Sequence, residues 1–341
     1  MQTSVSRDNV FFDARLAVRG LGIASATQRL TSALYQSGHV ELYLNQSANG
    51  WTRKGKAQTI LRSGLIDLSP RLDIRTRNAS VVHYFGNTAP QVPDARTLIT
   101  VHDLMSVRSK SLKGRLFRLL LTPGLQRGTN SRIVAISTQT ADELISLFPA
   151  IRRRVIVIPH GRRGGLFSTE DRTHILMFGG QSDPRKRIGL GFSAYSAYAT
   201  MDPDPLPLIV LGRAGADTNF VRRQVSSGYV TVEPDPSDER VATLLRTAAC
   251  VVYPTREEGF GLPIVEAGEV GTPVLCERGA RIPSEPCGKH VVHVNGTEPR
   301  VWGSAIARAI VKGPIAGSLD HLPTWAQVAK SYNDLYDEVA K

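Results

Sequence analysis

The sequence predicts an α/β protein built as two doubly wound, parallel-sheet domains, and three observations lead there. Short β-rich apolar runs alternate with helical patterns along the chain, the order that sets helices on both faces of a parallel sheet. The alternation restarts after Pro159, His160 and Gly161, in a breaker-rich connection that also holds Gly164 and Gly165. Charge changes at the same place: of the formal +12, residues 1–165 carry +15 and residues 166–341 carry −3. A chain of 341 residues has room for two domains of roughly 100 to 200 residues each. With 41% apolar and 21% charged residues, disorder is excluded as its main state.

In the first half, strands are expected at residues 10–12, 40–44, 81–85, 97–101, 133–136 and 155–158, all rich in β-branched or aromatic residues. Helical patterns occupy residues 23–36 and 138–148, the second opened by Ser137, whose hydroxyl suits a helix cap. In the second half the strands fall at 175–178, 208–211, 229–232, 250–253 and 273–276, with a helix at 242–248. Trp325, Val328, Ala329, Tyr332, Leu335, Tyr336 and Val339 recur at three-four spacing, so residues 325–340 form an amphipathic helix with a stripe to bury. No short repeat is visible, which excludes solenoids. The two domains expected are residues 1–163 and 164–318, followed by a C-terminal helical segment, 319–341.

Cys250, Cys276 and Cys287 are odd in number, lack Cys-x-x-Cys spacing and sit mostly in apolar runs, so they read as buried or free thiols. The polar start from Met1 to Asn9 does not resemble a signal peptide, and no apolar window reaches the length of a spanning helix. A cytoplasmic protein is expected, with peripheral contact on the cytoplasmic face of a membrane as the further possibility that its charge raises.

The most informative stretch is YPTREEGFGLPIVEA, residues 253–267. A strand ends at Tyr253, a loop with Gly259 and Gly261 follows, and Pro263 suits the first turn of a helix. A glycine-rich approach to a helix N-terminus makes an anion site, because unpaired N–H groups and the positive end of the dipole face the ligand. Glu258 and Glu266 bracket the loop with seven residues between them; Glu257 would give eight. Beside a diphosphate, carboxylates repel, so these read as acceptors for sugar hydroxyls rather than as acid-base groups. The plain alternative is a helix N-terminus decorated with acidic residues that its dipole favours.

This segment resembles the Glu-x7-Glu signature of the retaining GT-B glycosyltransferases of family four. The resemblance implies the GT-B fold: two Rossmann-like domains with a cleft between them, and a C-terminal helix crossing back to the first. It assigns Glu258 to hydroxyls of a donor sugar, Glu266 to the nucleotide ribose, and Gly259, Phe260, Gly261 and Leu262 to the donor sugar and diphosphate. Further segments extend it. Gly20 and Gly22 open the first long helix and are similar to the loop that meets donor phosphates and acceptor. TVHDLM places His102 and Asp103 after a strand, similar to the family's His-Asp-Leu segment on the acceptor side. VIPHGRRGGLF, residues 157–167, resembles its interdomain stretch, with His160 where Asn is usual. MFGGQSDPRKRIGL, residues 177–190, resembles the segment that brings cations to the diphosphate: Lys186 stands at the expected lysine with Arg185 beside it. The usual arginine is Gly180 here, which leaves Arg185 or Arg187 to replace it. Gly271 to Leu275 is similar to the Gly-Thr-Pro-Val strand, whereas Ser284 interrupts the usual Pro-Glu pair before Glu285.

Taken with the resemblance, the expectation is a metal-independent, retaining hexosyltransferase that uses a nucleotide diphosphate sugar as co-substrate and needs no cofactor. The expected catalytic residues are His102, Glu258 and Lys186. A glycan or lipid-linked acceptor is implied, in cell-envelope or extracellular polysaccharide synthesis, with a weak preference for GDP-mannose. Asp202-Pro203-Asp204 resembles a metal motif of another glycosyltransferase architecture, but its proline-rich setting reads as a surface loop. Residues 108–118, RSKSLKGRLFR, carry cations and no acid beside Leu112, Leu116 and Phe117. They are a candidate for lying on anionic lipid, against the alternative of a helix with a solvated charged face. Two rival classes remain: another GT-B sugar-nucleotide enzyme such as an epimerase, and a basic nucleic-acid-binding protein. Nucleic acid is not expected as a partner, because that reading leaves residues 253–267 unexplained.

Overall fold

A computed structural model describes residues 9–13, 21–39, 41–45, 80–85, 96–108, 125, 131–164, 167–179, 183–212, 229–234, 236–317 and 319–341. The chain divides into two compact units, Met1–Gly161 with Pro323–Lys341, and Arg162–Leu322. Each holds a six-stranded, all-parallel sheet.

In the first unit the order along the chain is β1 (Asn9–Asp13), α1 (Leu21–Ser37), β2 (Glu41–Asn45), β3 (Val81–Phe85), β4 (Thr97–Val101), α2 (Met105–Arg108), β5 (Arg132–Ala135), α3 (Thr138–Leu147) and β6 (Val155–Val157). The sheet order is β2-β1-β3-β4-β5-β6. Every residue of β4 is buried, as a central parallel strand covered on both faces requires. Ser137 caps α3 by accepting from Thr140 N at 3.1 Å. A 3-10 turn over Pro149–Arg154 then leads into β6 and buries Arg154, whose guanidinium donates to Ser131 Oγ and the Leu125 carbonyl.

A last helix (Trp325–Ala340) belongs to this unit and lies against α1 and β3. Thr324 and Gln327 close a reciprocal capping box at its start. Its apolar stripe is buried as the spacing requires. The stripe also carries hydroxyls into the core: Tyr336 Oη meets His83 Nδ1 at 2.8 Å, His83 Nε2 meets Thr100 Oγ1 at 2.8 Å, and Thr100 Oγ1 meets Tyr332 Oη at 3.1 Å. Burial pushes the His83 imidazole well below its ordinary pKa, so it stays neutral and bonds through both nitrogens. Gly161 is obligatory where the helix begins, since a Cβ there would stand 2.7 Å from the Trp325 backbone nitrogen.

The second unit runs β7 (His174–Phe178), α4 (Ile188–Ala199), β8 (Leu208–Leu211), β9 (Val230–Glu233), α5 (Asp238–Thr247), β10 (Ala248–Val252), α6 (Leu262–Glu269), β11 (Val274–Glu277), β12 (Val291–Val294) and α7 (Pro299–Lys312); with these named, the Trp325 helix is α8. The sheet order is β12-β11-β10-β7-β8-β9. Successive strands therefore leave in opposite directions from the β7–β10 pair. Trp302 of α7 is fully buried in the core with Phe192, Tyr195 and Tyr198 of α4. Gly303 lets α7 approach α4, because a Cβ there would stand 2.7 Å from Tyr198 N. The sequence reading missed α4, β12 and α7. Residues 319–322, grouped above with the C-terminal helix, lie in this unit: Leu319 and Leu322 are buried and the Leu322 carbonyl accepts from Arg162 Nε.

Asp202 and Asp204 form a surface loop in which Asp202 accepts from Asp204 N and from Tyr198 Oη. Cys250 and Cys276 are buried, Cys287 is half-buried, and all three are free thiols. Of residues 108–118 the structure describes Arg108, 3.6 Å from Glu143; the rest lie outside the described residues, as do Arg53, Lys54 and Lys56. Among the described residues no helix is long and apolar enough to cross a membrane.

Candidate functional site

In a doubly wound sheet, ligands bind beyond the carboxyl ends of the strands at the point where the strand order reverses. In the second unit that point lies between β7 and β10. The segment after β7 carries Asp183 to Arg187, and the segment after β10 carries Tyr253 to Glu258. Backbone bonds stitch them together: Arg256 N donates to the Arg185 carbonyl at 2.8 Å, Arg281 N to the Arg256 carbonyl at 2.7 Å, and Glu258 N to the Arg281 carbonyl at 2.9 Å.

Two of the expected residues meet there. Lys186 Nζ donates to Glu258 Oε1 at 2.6 Å, an ion pair with side chains 20% and 12% exposed. Neither residue's neighbourhood in sequence shows this pairing, which spans 72 positions. A third group joins them that sequence reasoning missed. Tyr253 Oη donates to Glu258 Oε1 at 2.7 Å and accepts from Lys186 Nζ at 2.9 Å, while the ammonium lies 4.9 Å from the centre of the tyrosine ring. Tyr253 is buried in the core, edge-on to Phe178. Burial, with the Glu258 carboxylate adding to it, pushes its phenol well above the ordinary value, so the hydroxyl keeps its proton. The signal available in the sequence was a tyrosine ending the strand ahead of the acidic loop.

The neighbouring cations are differently engaged. Arg185 folds back on Asp183, with Nε and Nη2 on its carboxylate at 3.0 and 2.6 Å. Arg187 takes a left-handed backbone, φ +44°, at the start of α4. Its guanidinium donates to the Pro254 and Thr255 carbonyls and pairs with Glu277. Thus Arg187 braces the loop after β10 from below. Gly180 lies outside the described residues.

Between Glu258 and Glu266 the chain turns into α6. Gly261 caps it with φ +102°, a left-handed conformation that favours glycine, and Pro263 occupies the first turn. Phe260 and Leu262 are buried, Gly259 half-buried, and Glu266 half-buried in the second turn. α6 thus begins four residues beyond Glu258, the positive helix end a diphosphate would meet; Pro263 brings no N–H to it, and Ile264 N donates to the Gly261 carbonyl at 2.9 Å.

In the first unit, His102 and Asp103 follow β4 at its carboxyl end. His102 is 3% exposed, edge-on to Phe85 at 4.6 Å between ring centres and 5.4 Å from the His160 ring, which lies 5.6 Å from Trp325. Burial pushes the His102 imidazole down to about 3, so near neutral pH it is an uncharged hydrogen-bonding group. Asp103 Oδ1 accepts from Met105 N at 3.0 Å and thereby starts α2. Gly22 lies in the first turn of α1, and Gly20 lies outside the described residues. Among the described residues no group of three or more His, Cys, Asp or Glu side chains is placed to hold a metal ion.

A family model described as Family 4 Glycosyltransferase in conflict systems matches residues 132–312. The D-inositol 3-phosphate glycosyltransferase of Nocardiopsis dassonvillei is 27% identical over 236 residues, 60% of this chain and 55% of that protein. O-antigen chain mannosyltransferase B of Escherichia coli is 33% identical over 108 residues, 30% of this chain and 28% of that protein. The chain thus spans about half the length of the first of these relatives and less of the second. The solved structure of WaaG, a glycosyltransferase involved in lipopolysaccharide biosynthesis, aligns with a TM-score of 0.62 at 13% identity, covering 97% of this chain and 98% of that one.

Proposed function

The chain belongs to the glycosyltransferases of family 4 and has their GT-B fold of two Rossmann-like domains, and from that premise we propose that it moves a sugar from a nucleoside diphosphate donor to a hydroxyl of a glycan or lipid-linked glycan, with retention of configuration and without a metal. The observation that carries this reading is the Lys186–Glu258 pair at 2.6 Å, set at the strand-order reversal beside the N-terminus of α6. A departing diphosphate needs positive charge as the glycosidic bond breaks, and Lys186 with the positive end of α6 supplies it. Glu258 accepts a donor-sugar hydroxyl and Glu266 a ribose hydroxyl. The acceptor hydroxyl attacks from the face that the diphosphate leaves, and its proton passes to the departing phosphate oxygen. His102, uncharged, contributes hydrogen bonding on the acceptor side with Asp103. The excess of +15 in residues 1–165 serves an anionic acceptor or the cytoplasmic face of a membrane.

GDP-mannose is the first donor to try, with support from the mannosyltransferase relative. A thermal-shift panel of GDP-mannose with UDP-, dTDP- and ADP-glucose tests the reading. At a hundred times its dissociation constant the true donor stabilises the folded state by about 2.7 kcal/mol, a rise in midpoint of roughly 5–10 °C for a unit of this size. No shift with any nucleotide sugar overturns the proposal. Transfer that stops on adding EDTA and returns with magnesium overturns its metal-free part. A product analysis showing an epimerised donor and no glycoside replaces transfer by epimerisation.

Glu266→Ala is expected to weaken nucleoside diphosphate binding about 10-fold, the loss of one hydrogen bond to a charged group, and to leave kcat at saturating donor within about 3-fold. Calorimetric titration with the nucleotide and initial rates check the two halves; unchanged affinity removes Glu266 from the ribose.

A further inference from the structure

We propose that Tyr253 is a positioning residue: its hydroxyl holds the Glu258 carboxylate in place while Lys186 exchanges that carboxylate for the donor diphosphate. The proposal rests on the transfer reading above and adds to it a residue and an order of events.

Without donor, Lys186 has a counterion of its own, since Nζ lies 2.6 Å from Glu258 Oε1. A diphosphate carries more negative charge than one carboxylate and draws the ammonium to itself. Glu258 then loses a charged donor while its side chain is only 12% exposed. A carboxylate in that setting either keeps another donor or swings toward water. Tyr253 prevents the swing. Its ring is anchored in the core against Phe178, so the hydroxyl cannot follow the lysine, and its O–H points at the same Oε1 atom at 2.7 Å. Two further contacts support this geometry: the Glu258 backbone N–H is tied to the Arg281 carbonyl at 2.9 Å, which fixes the origin of the side chain, and the Arg256 N–H is tied to the Arg185 carbonyl at 2.8 Å, which keeps the two loops in step. Lys186 moves, Glu258 stays aimed at the sugar hydroxyl, and the protein recognises sugar and diphosphate as one joined object. A phenol keeps its proton in this place because burial and the adjacent carboxylate both oppose ionisation.

The test compares wild type with Tyr253→Phe, which keeps the buried ring and removes only the hydroxyl, using the nucleotide sugar that stabilises the protein in the panel and the set of its monodeoxy-sugar analogues. On the intact donor, Tyr253→Phe is expected to lower kcat about 10-fold with donor KM changed less than about 3-fold. On the analogue lacking the hydroxyl that Glu258 accepts, the two proteins are expected to turn over equally. In a Glu258→Gln background, adding Tyr253→Phe is expected to cost nothing more, because the two groups act through one contact. An equal defect on every analogue, or full additivity with Glu258→Gln, shows a general structural role and overturns the proposal while leaving the transfer reading intact. A Tyr253→Phe protein with wild-type kcat on the intact donor overturns it as well. A wild type that no nucleotide sugar stabilises overturns the transfer reading, and this inference with it.

Discussion

Glu258→Ala is expected to lower kcat by about 10²- to 10³-fold, the size of effect that follows when a contact tightening in the transition state is lost. The wild-type carboxylate accepts from Lys186 at 2.6 Å and from Tyr253 at 2.7 Å. Truncation to alanine removes the acceptor for the donor sugar and leaves a half-buried ammonium and a buried phenol facing a gap, so orientation of the sugar fails. Binding of the nucleoside diphosphate alone is expected to persist or improve, because Lys186 no longer has a carboxylate to leave. Initial-rate measurements at saturating donor, paired with calorimetric titration of the nucleotide, read both effects. Unchanged kcat in Glu258→Ala, or a nucleotide affinity that collapses with it, would remove Glu258 from the donor sugar. Glu258→Gln keeps the shape without the charge and is expected to fall between alanine and wild type.

The largest effect on stability is expected from Trp302→Ala, about 3–5 kcal/mol, the range for truncating a fully buried large aromatic side chain. Trp302 has no exposed surface, fills the space between α7 and α4, and donates its indole N–H to the Gly296 carbonyl at 2.9 Å. No movement of α7 can close the hole, because Gly303 already brings that helix to backbone contact with α4 at Tyr198. The midpoint of the second unit should fall by roughly 10 °C at 2–4 °C per kcal/mol, measured by circular dichroism or calorimetry, and Trp302→Phe should recover much of it. A fall below about 3 °C would mean that this core is less tightly packed than its burial indicates.

Much of this architecture is legible in the sequence, because parallel strands covered on both faces are written as short apolar runs that few other structures need. β4 is an example: TLITV is buried at all five positions. Three elements that escaped have physical reasons. Helix α4, IGLGFSAYSAYA, contains two glycines that weaken its helical signal, yet Gly191 leaves room for the Met177 side chain, whose sulfur would have to shift for a Cβ there. β12 is four residues long and contains His293, and α7 opens on Pro299, which reads as a breaker until it is seen in a first turn. At the candidate site, Glu258 and Lys186 were nameable because their segments resemble those of the family, whereas Tyr253 looked like one more strand residue. What a hydroxyl touches across a sheet depends on which strands are neighbours, and β7 beside β10 is not written in the order of the chain. The same holds for Arg187: a run of three cations looks like phosphate chemistry, but the left-handed backbone turns this one into carbonyls and Glu277.

The polar cluster of His83, Thr100, Tyr332 and Tyr336 bears on how the protein is made. His83 and Thr100 are completed by hydroxyls from α8, and the second unit, residues 162–322, stands between them in the chain. During synthesis the ribosome releases β1 through β6 first, yet their sheet keeps an uncovered imidazole and an apolar face until residues 325–340 emerge. The continuous second unit has all its strands by then and is free to complete its core before the first unit is covered. Until α8 emerges, the apolar face that it covers has no partner in the first unit, and a nonsense change that removes α8 leaves it so.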